Sequence, residues 1–393
     1  MKDDSLLVHS GRDPQRHYGI VNLPVYHAST VLYPSLESFK KRAVGDQKYR
    51  AVRYGAYGTP TTNALADAVA ELEGGQGAVV TSSGLAAVTF AITAFVGQGD
   101  HILMVDSVYS PTRGFCDTVL KRFGVNTTYY DPLESESISA LFQPNTRLIF
   151  CESPGSLTFE VQDIPALAAA AHQRDILVLL DNTWATPLLF KPFDKGVDIS
   201  IQAGTKYISG HSDLVIGIIT ARTETLFRRV KDTTMVFGEI AGPDDCYLAL
   251  RGLRSMGARL KQHQTTTLKI ARWLQACPEV KRVLFPPLPE DPGYKIWKRD
   301  FEGASGVFGV VLHTESEQAV AHMVDGYRFF KIGASWGGYE SLVLPASLKK
   351  IRTASRWTES GYVLRYSIGL EDPDDLITDL VQGFKRLNDT VRS

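Results

Sequence analysis

Nothing in this 393-residue chain resembles a metal-ligand cluster: its nine histidines form neither an HExxH nor an HxH pair, so no structural or catalytic metal is expected. Cysteine is scarce too. Cys116, Cys151, Cys246 and Cys277 lie far apart with no CxxC pair, which fits reduced thiols of a cytoplasmic protein filling core space. Neither sign of charge dominates. With 42 Lys and Arg against 43 Asp and Glu, the net charge of −1 argues against a nucleic-acid or anionic-membrane surface as the main partner. Long hydrophobic runs are also missing, and stretches such as "DILVLLD" are too short to span a bilayer. The start "MKDDSLLVHSGRDPQ" has no apolar segment, so no signal peptide is expected. No internal repeat or low-complexity tract is visible.

What remains is a globular composition, 44% hydrophobic and 22% charged, on a chain long enough for two domains. From about residue 63, helical and strand patterns alternate. The strand-like pieces "QGAVVT", "HILMVDS", "NTTYYD", "NTRLIFCES", "ILVLLDNTWA", "VDISIQ" and "DLVIGIITA" are short and continuously apolar, with helices such as "LAAVTFAITAF" and "IPALAAAAHQRD" between them. This predicts an α/β fold with a mostly parallel central sheet covered on both faces. Past about residue 250 the texture changes to a long helix, "LRGLRSMGARLKQHQTTTLKIARWLQ", and strands "SGVFGVVLH" and "YVLRYSIGL", a smaller α+β domain. The expected organisation is an arm over 1–55, a first domain over 56–250 and a C-terminal domain over 251–393.

Several strands end on polar residues, Asp106, Glu152 with Ser153, and Asp181 with Asn182, where open α/β sheets bind ligands. Lys206 stands out in "SIQAGTKYISGHSD", since the run from Val197 to Thr220 holds only two acids and one lysine. Desolvation lowers a lysine's pKa and exposes its lone pair, which an amine nucleophile needs. Paired with Asp181, it fits pyridoxal 5'-phosphate, which takes a lysine at its aldehyde and a carboxylate at its ring nitrogen. A structural ion pair between Lys206 and Asp181 is the plainer alternative. The small-residue turn "TSSGLAAV" opens a helix whose first N–H groups, at Gly84 and Leu85, could hold a phosphate, although such turns are also ordinary N-caps. Tyr109 sits where a ring could stack on the cofactor or simply pack in a loop. Arg365, inside an apolar strand, needs a partner: a substrate carboxylate gripped from both sides, or an internal bridge to Glu371 or Asp372.

At "ESPGSLTFEVQDI", "DNTWATPLLFKPFDKGVDISIQAGTKYISGHSD" and "SWGGYESLVLP" the sequence resembles the Cys/Met-metabolism family of pyridoxal-phosphate enzymes, whose fold is aspartate-aminotransferase-like (fold type I). The likeness runs from "RYGAYGTPTTNAL" through "SIGLEDPDDL". The tryptophan of "DNTWA" and the "SIQ" before the lysine are similar to the family's cystathionine β-lyases, more than to its γ-lyases and γ-synthases. The resemblance implies carbon–sulfur β-cleavage of an amino-acid thioether to a thiol, pyruvate and ammonia, a step toward methionine; a racemase would use the same groups. By position it implies that Lys206 bonds the cofactor, Asp181 holds the ring nitrogen and Tyr109 stacks on the ring and handles protons. Gly84, Leu85 and Thr205 would hold the phosphate, with Tyr54 reaching in from a neighbouring subunit. Ser335 and Arg365, with Trp336 beside them, would form the carboxylate site, in a homotetramer built from two close dimers. The sequence departs from the family twice. Where the pattern Tyr-x-Arg places a phosphate-binding arginine, "RYGAYG" has Ala56, a loss of about 1.5–3 kcal/mol unless Arg50 or Arg53 replaces it. Before "SWGG", Ala334 stands in place of tyrosine.

Overall fold

The computed structural model describes residues 1–42, 44, 45, 47–135, 137–346, 348 and 352–392. Seven strands form the first sheet: β1 (Gly77–Thr81), β2 (His101–Val105), β3 (Asn126–Tyr130), β4 (Thr146–Glu152), β5 (Leu177–Asp181), β6 (Ile199–Gln202) and β7 (Gly217–Ala221). Their order is β1-β7-β6-β5-β4-β2-β3. Neighbours from β6 to β3 run parallel, whereas β7 is antiparallel to both β1 and β6. Every residue of β1, β2, β6 and β7 is buried, because helices cover both faces. The expected mostly parallel sheet is therefore present, with β7 as its reversed member. The carboxyl ends of β2, β4, β5 and β6 share one rim and bring Asp106, Glu152, Asp181 and the turn leading to Lys206 together.

A second sheet has the order β10-β11-β12-β9-β8, from β8 (Val280–Leu284), β9 (Val307–Leu312), β10 (Lys331–Ile332), β11 (Leu342–Ala346) and β12 (Val363–Ser367). The long helix between the sheets starts earlier than its sequence texture suggested. It runs Pro243–Gln275, opened by Gly242, a proline in its first turn and the acids Asp244 and Asp245. A boundary at 250/251 thus falls inside one continuous helix that packs on the Pro60–Glu73 helix and on β8. Gly252 lets this helix approach the segment after Lys206, since a Cβ there would lie 2.2 Å from the Ser209 carbonyl oxygen. Arg259, about two turns further along the same helical face, donates to the carbonyls of Tyr207 and Gly252, each at 2.8 Å. The helix therefore pins the backbone that carries Lys206. The first residues also dock on their own chain: the Asp3–His9 helix buries Leu6 and Leu7, and Arg254 donates to the Leu7 carbonyl at 2.6 Å. Further along the arm, Tyr18, Leu32 and Leu36 are exposed.

Two contacts tie the sheets together at the site. The Trp184 indole donates to the Val307 carbonyl at 3.0 Å. Asp106, at the end of β2, accepts from the backbone N–H groups of Thr353, Ala354 and Ser355 at 3.0, 3.0 and 2.7 Å, from the Ser355 hydroxyl at 2.9 Å and from Arg113 at 2.5 Å. Burial alone would raise the Asp106 pKa, but the donors from Ser355, Thr353 and Arg113 outweigh it and hold the carboxyl below its ordinary value. A depressed carboxylate pKa contributes stability above its unfolded value, about 4, that is lost as pH falls through the folded value. Replacing Asp106 with Asn strands the buried Arg113 cation and should lower unfolding free energy by about 3 kcal/mol or more in urea titrations at neutral pH. A loss under about 1 kcal/mol would show that these donors find other partners.

Candidate active site

The strand-end acids open onto a cavity of about 440 Å³ whose walls include Gly84, Leu85, Tyr109, Asp181, Thr205, Lys206, Ser335, Trp336 and Arg365. Nine of the ten residues singled out for the site are thus brought together from both sheets. Tyr54 is not among them; it is half exposed and lies outside the cavity of its own chain.

Lys206 rides on a tight turn after β6, closed by its own N–H donating to the Ala203 carbonyl at 3.0 Å. Its Nζ donates to Ser335 Oγ at 2.6 Å and stands 5.4 Å from the centre of the Trp336 ring. Burial, with a smaller push from Arg365 and against the pull of Asp181, lowers its pKa from 10.5 to about 8. Ser335 has φ +76°, left-handed backbone that a residue with a Cβ rarely adopts. That twist turns its carbonyl to Arg365, whose Nη2 donates to it at 2.7 Å, while its hydroxyl faces Lys206. Gly337, also left-handed at φ +86°, lies directly on the Lys206 backbone, where a Cβ would come within 3.1 Å. Here glycine is required by both conformation and contact.

Arg365 does not make the internal bridge to Glu371. That carboxylate is taken by the N–H and hydroxyl of Ser341, both at 2.8 Å. Arg365 Nε is buried without a partner, and burial lowers the guanidinium pKa to about 10. An unpaired buried donor on a cation facing a cavity suits a carboxylate ligand. Nor do Lys206 and Asp181 form a direct ion pair. Asp181 Oδ1 instead accepts from the Thr183 N–H at 3.0 Å and the Thr183 hydroxyl at 2.5 Å, and that hydroxyl accepts the Ala203 N–H at 2.9 Å. Thr183 thereby links the Asp181 strand end to the Lys206 turn. The spacing Asp-x-Thr at the end of an apolar strand was its legible signal.

Burial raises the Asp181 pKa, against the opposing effects of Thr183 and Lys206. A cationic ring nitrogen arriving beside it would favour its charged form. Glu152 stands opposite Asp181 in the β4–β5 register, and its Oε2 accepts the Tyr109 N–H at 2.7 Å. Burial, then the charge of Asp181, pushes the Glu152 carboxyl well above the usual range. Its role in seating Tyr109 was not visible in sequence, because β4 and the Tyr109 loop are brought together only by the sheet. The Tyr109 phenol is raised by burial and by both acids, with Arg365 opposing.

At the other end of the cavity, Ser83 caps the Gly84–Thr93 helix: its hydroxyl accepts the Ala86 N–H and its carbonyl the Ala87 N–H, each at 3.0 Å. The N–H groups of Gly84 and Leu85 have no partner among the described residues. A Cβ on Gly84 would lie 2.6 Å from the Ala203 Cβ, so glycine allows the helix start to close on the Lys206 turn. Thr205 faces the cavity, but its hydroxyl already bonds the Ile216 backbone, as donor at 3.1 Å and acceptor at 2.9 Å. Free helix-start N–H groups, a carboxylate, a lysine of lowered pKa and an orphaned arginine donor fit pyridoxal phosphate carrying an amino acid.

Comparison with known proteins agrees with this donor set. The family model described as "Cys/Met metabolism PLP-dependent enzyme" matches residues 4–385. A cystathionine beta-lyase of Escherichia coli K12 is 42% identical, covering 98% of this chain and 99% of the relative. An L-alanine/L-glutamate racemase of Wolbachia pipientis wMel is also 42% identical, covering 98% of each chain. The crystal structure of a cystathionine gamma synthase from Xanthomonas oryzae pv. oryzae superposes with a TM-score of 0.91 at 32% identity, covering 99% of each chain.

The lowered lysine pKa has a direct consequence. In cofactor-free protein, the rate of pyridoxal phosphate capture by Lys206 should rise with pH through a midpoint of about 8, as the neutral amine forms. A midpoint near the ordinary lysine value of about 10.5 would contradict the desolvated setting.

Proposed function

The chain belongs to the Cys/Met-metabolism family of pyridoxal-phosphate-dependent enzymes, and we propose that it cleaves the Cβ–S bond of L-cystathionine or a related cysteine thioether. The products are a thiol such as homocysteine, pyruvate and ammonia. Bound pyridoxal phosphate supplies the electron sink for negative charge at the substrate Cα. The chain supplies the rest. Asp181 would hold the ring nitrogen and favour its protonated form, and Tyr109 would pack against the ring. The N–H groups of Gly84 and Leu85, with Thr205 beside them, would hold the phosphate. Arg365 grips the substrate carboxylate with the Nε that has no protein partner, Ser335 and Trp336 forming the adjoining wall. Lys206 Nζ takes the Cα proton; the electron pair of the Cβ–S bond leaves on sulfur, and the thiolate is protonated. Water then releases the remaining three-carbon fragment as pyruvate and ammonia.

One observation carries this reading: Ser335 binds Lys206 through its hydroxyl and Arg365 through its carbonyl, so the base and the carboxylate grip are held in one fixed relation. Tyr54, exposed and away from its own cavity, supports a homodimer in which it completes the neighbour's site, with two such dimers forming a tetramer. The organisation proposed is the arm of 1–55 facing that neighbour, a cofactor domain over 56–250 and a C-terminal domain over 251–393, the two domains joined through the continuous Pro243–Gln275 helix. Four unpaired cysteines and the absence, among the described residues, of a helix able to cross a membrane support a cytoplasmic setting. A racemase reading has one observation in its favour, the Wolbachia relative, and would ask Lys206 and Tyr109 to share the two proton transfers at Cα.

Purified protein loaded with cofactor should release pyruvate from L-cystathionine. Release of 2-oxobutanoate instead would mean γ-cleavage, and loss of optical rotation from L-alanine without pyruvate would mean racemisation. Lys206→Ala should lower kcat by about 10²-fold or more. Arg365→Gln should raise KM for the amino acid about tenfold or more. An unchanged KM would remove Arg365 from the carboxylate site.

A further inference from the structure

Three cations stand near the Gly55–Tyr57 turn, and they are not equivalent. Arg50 has an acidic partner: its Nη2 pairs with Glu224 at 2.8 Å and donates to the Gln76 carbonyl at 3.1 Å. Arg53 lies with its guanidinium carbon 4.1 Å from the centre of the Tyr57 ring. Among the described residues its guanidinium makes one hydrogen-bond contact, Nη2 to the Met235 sulfur at 3.4 Å, and its Nε is buried with no partner. Lys231, on the Glu224–Phe237 helix, sends its Nζ to the Tyr57 carbonyl at 3.1 Å.

Among the described residues, neither Arg53 nor Lys231 has a carboxylate within ion-pair distance. Their neighbours do: Lys48 pairs with Asp232 at 2.6 Å, and Arg228 with Glu224 at 2.8 Å. Two partly buried like charges disfavour each other, and Lys231 is pushed down to about 8 by burial and by Arg53. Such a pair costs stability unless an anion neutralises it. Among the described residues no carboxylate supplies that anion, and a ligand or a second copy can. The cluster shares its turn with Tyr54, which is exposed and outside its own cavity. Ala56, two residues after Tyr54, carries no charge.

We propose that Arg53 and Lys231 form a cationic shelf for a phosphate dianion, the cofactor phosphate held by the neighbouring subunit, and supply the charge that Ala56 does not. The inference rests on the dimeric reading above, in which the Tyr54 turn faces the partner's cavity. A phosphate there meets the helix-start N–H groups of one subunit and the shelf of the other. Arg53 and Lys231 each contribute charge.

The test is the affinity of cofactor-free protein for pyridoxal phosphate, read from the visible absorbance and quenched protein fluorescence of the complex, with sedimentation to follow the oligomer. Arg53→Gln and Lys231→Gln should each weaken binding about tenfold or more. Arg53→Lys keeps the charge and loses the ring stacking, so it should bind within a few-fold of the unaltered protein. Ala56→Arg in the Arg53→Gln background should restore affinity. If Arg53→Gln changes the oligomer, Lys231→Gln, which lies off the arm, decides the outcome. Unchanged affinity in both Gln variants would overturn the shelf, and equal losses in Arg53→Lys and Arg53→Gln would reduce Arg53 to a packing role and overturn it as well. Failure of the unaltered protein to bind cofactor or release pyruvate would instead refute the enzyme reading beneath it.

Discussion

Two cations meeting one serine set the terms for the rest of the site. Ser335 adopts φ +76° and directs its hydroxyl at Lys206 and its carbonyl at Arg365. Left-handed backbone at a residue with a side chain costs about 1–3 kcal/mol and persists only where its surroundings enforce it. The enforcement is visible. Gly337 rests on the Lys206 backbone, Trp336 packs tilted with its ring centre 5.5 Å from that of Tyr207, and the Tyr207 hydroxyl accepts the Gly306 N–H at 2.7 Å. The long helix locks the same segment from behind through Arg259. With Lys206 and Arg365 both desolvated and near each other, the lysine is held in the range where a neutral amine is available near neutral pH.

The acids answer this arrangement from the opposite wall. Asp181 and Glu152 lie on adjacent strands in direct register, and burial works against both being charged. Burial and the charge of Asp181 push Glu152 up, whereas Thr183 and Lys206 oppose the rise at Asp181. Glu152 seats Tyr109 by accepting its backbone N–H, which a carboxyl oxygen does whether the group is charged or neutral. Asp106, although it lines the same cavity, takes no part in this balance, because its charge is bound by residues 353–355, between β11 and β12, and by Arg113 on the helix that follows β2. One rim of the sheet therefore bears three carboxyls in three electrostatic settings.

Much of this was legible in the sequence, for local reasons. Short apolar strands between helices specify a covered parallel sheet, and Lys206 announces itself by the poverty of charge around it. Asp181 at the end of "ILVLLD" and Arg365 within an apolar strand are likewise conflicts between residue and setting, which mark functional positions. What escaped depended on long-range contact or on backbone torsion. Ser335 is 129 residues from Lys206, and nothing about a serine signals left-handed backbone. The reversal of β7 leaves no trace, because a fully buried strand is apolar in either direction. The start of the long helix at Pro243 was obscured because its first turns are polar and turn-like, with Gly242 before them. Arg50 and Arg53 looked interchangeable as substitutes for an arginine at position 56; only the fold shows Arg50 bound to Glu224.

The most direct measurement of this account is the steady-state kinetics of Ser335→Ala with a thioether substrate. Alanine keeps the carbonyl that holds Arg365 but removes the hydroxyl that holds Lys206. The account predicts that kcat falls by about tenfold or more while KM stays within a few-fold, because the carboxylate grip survives and the base is released. A raised KM with kcat preserved would contradict it, since the hydroxyl would then serve the substrate carboxylate rather than the lysine.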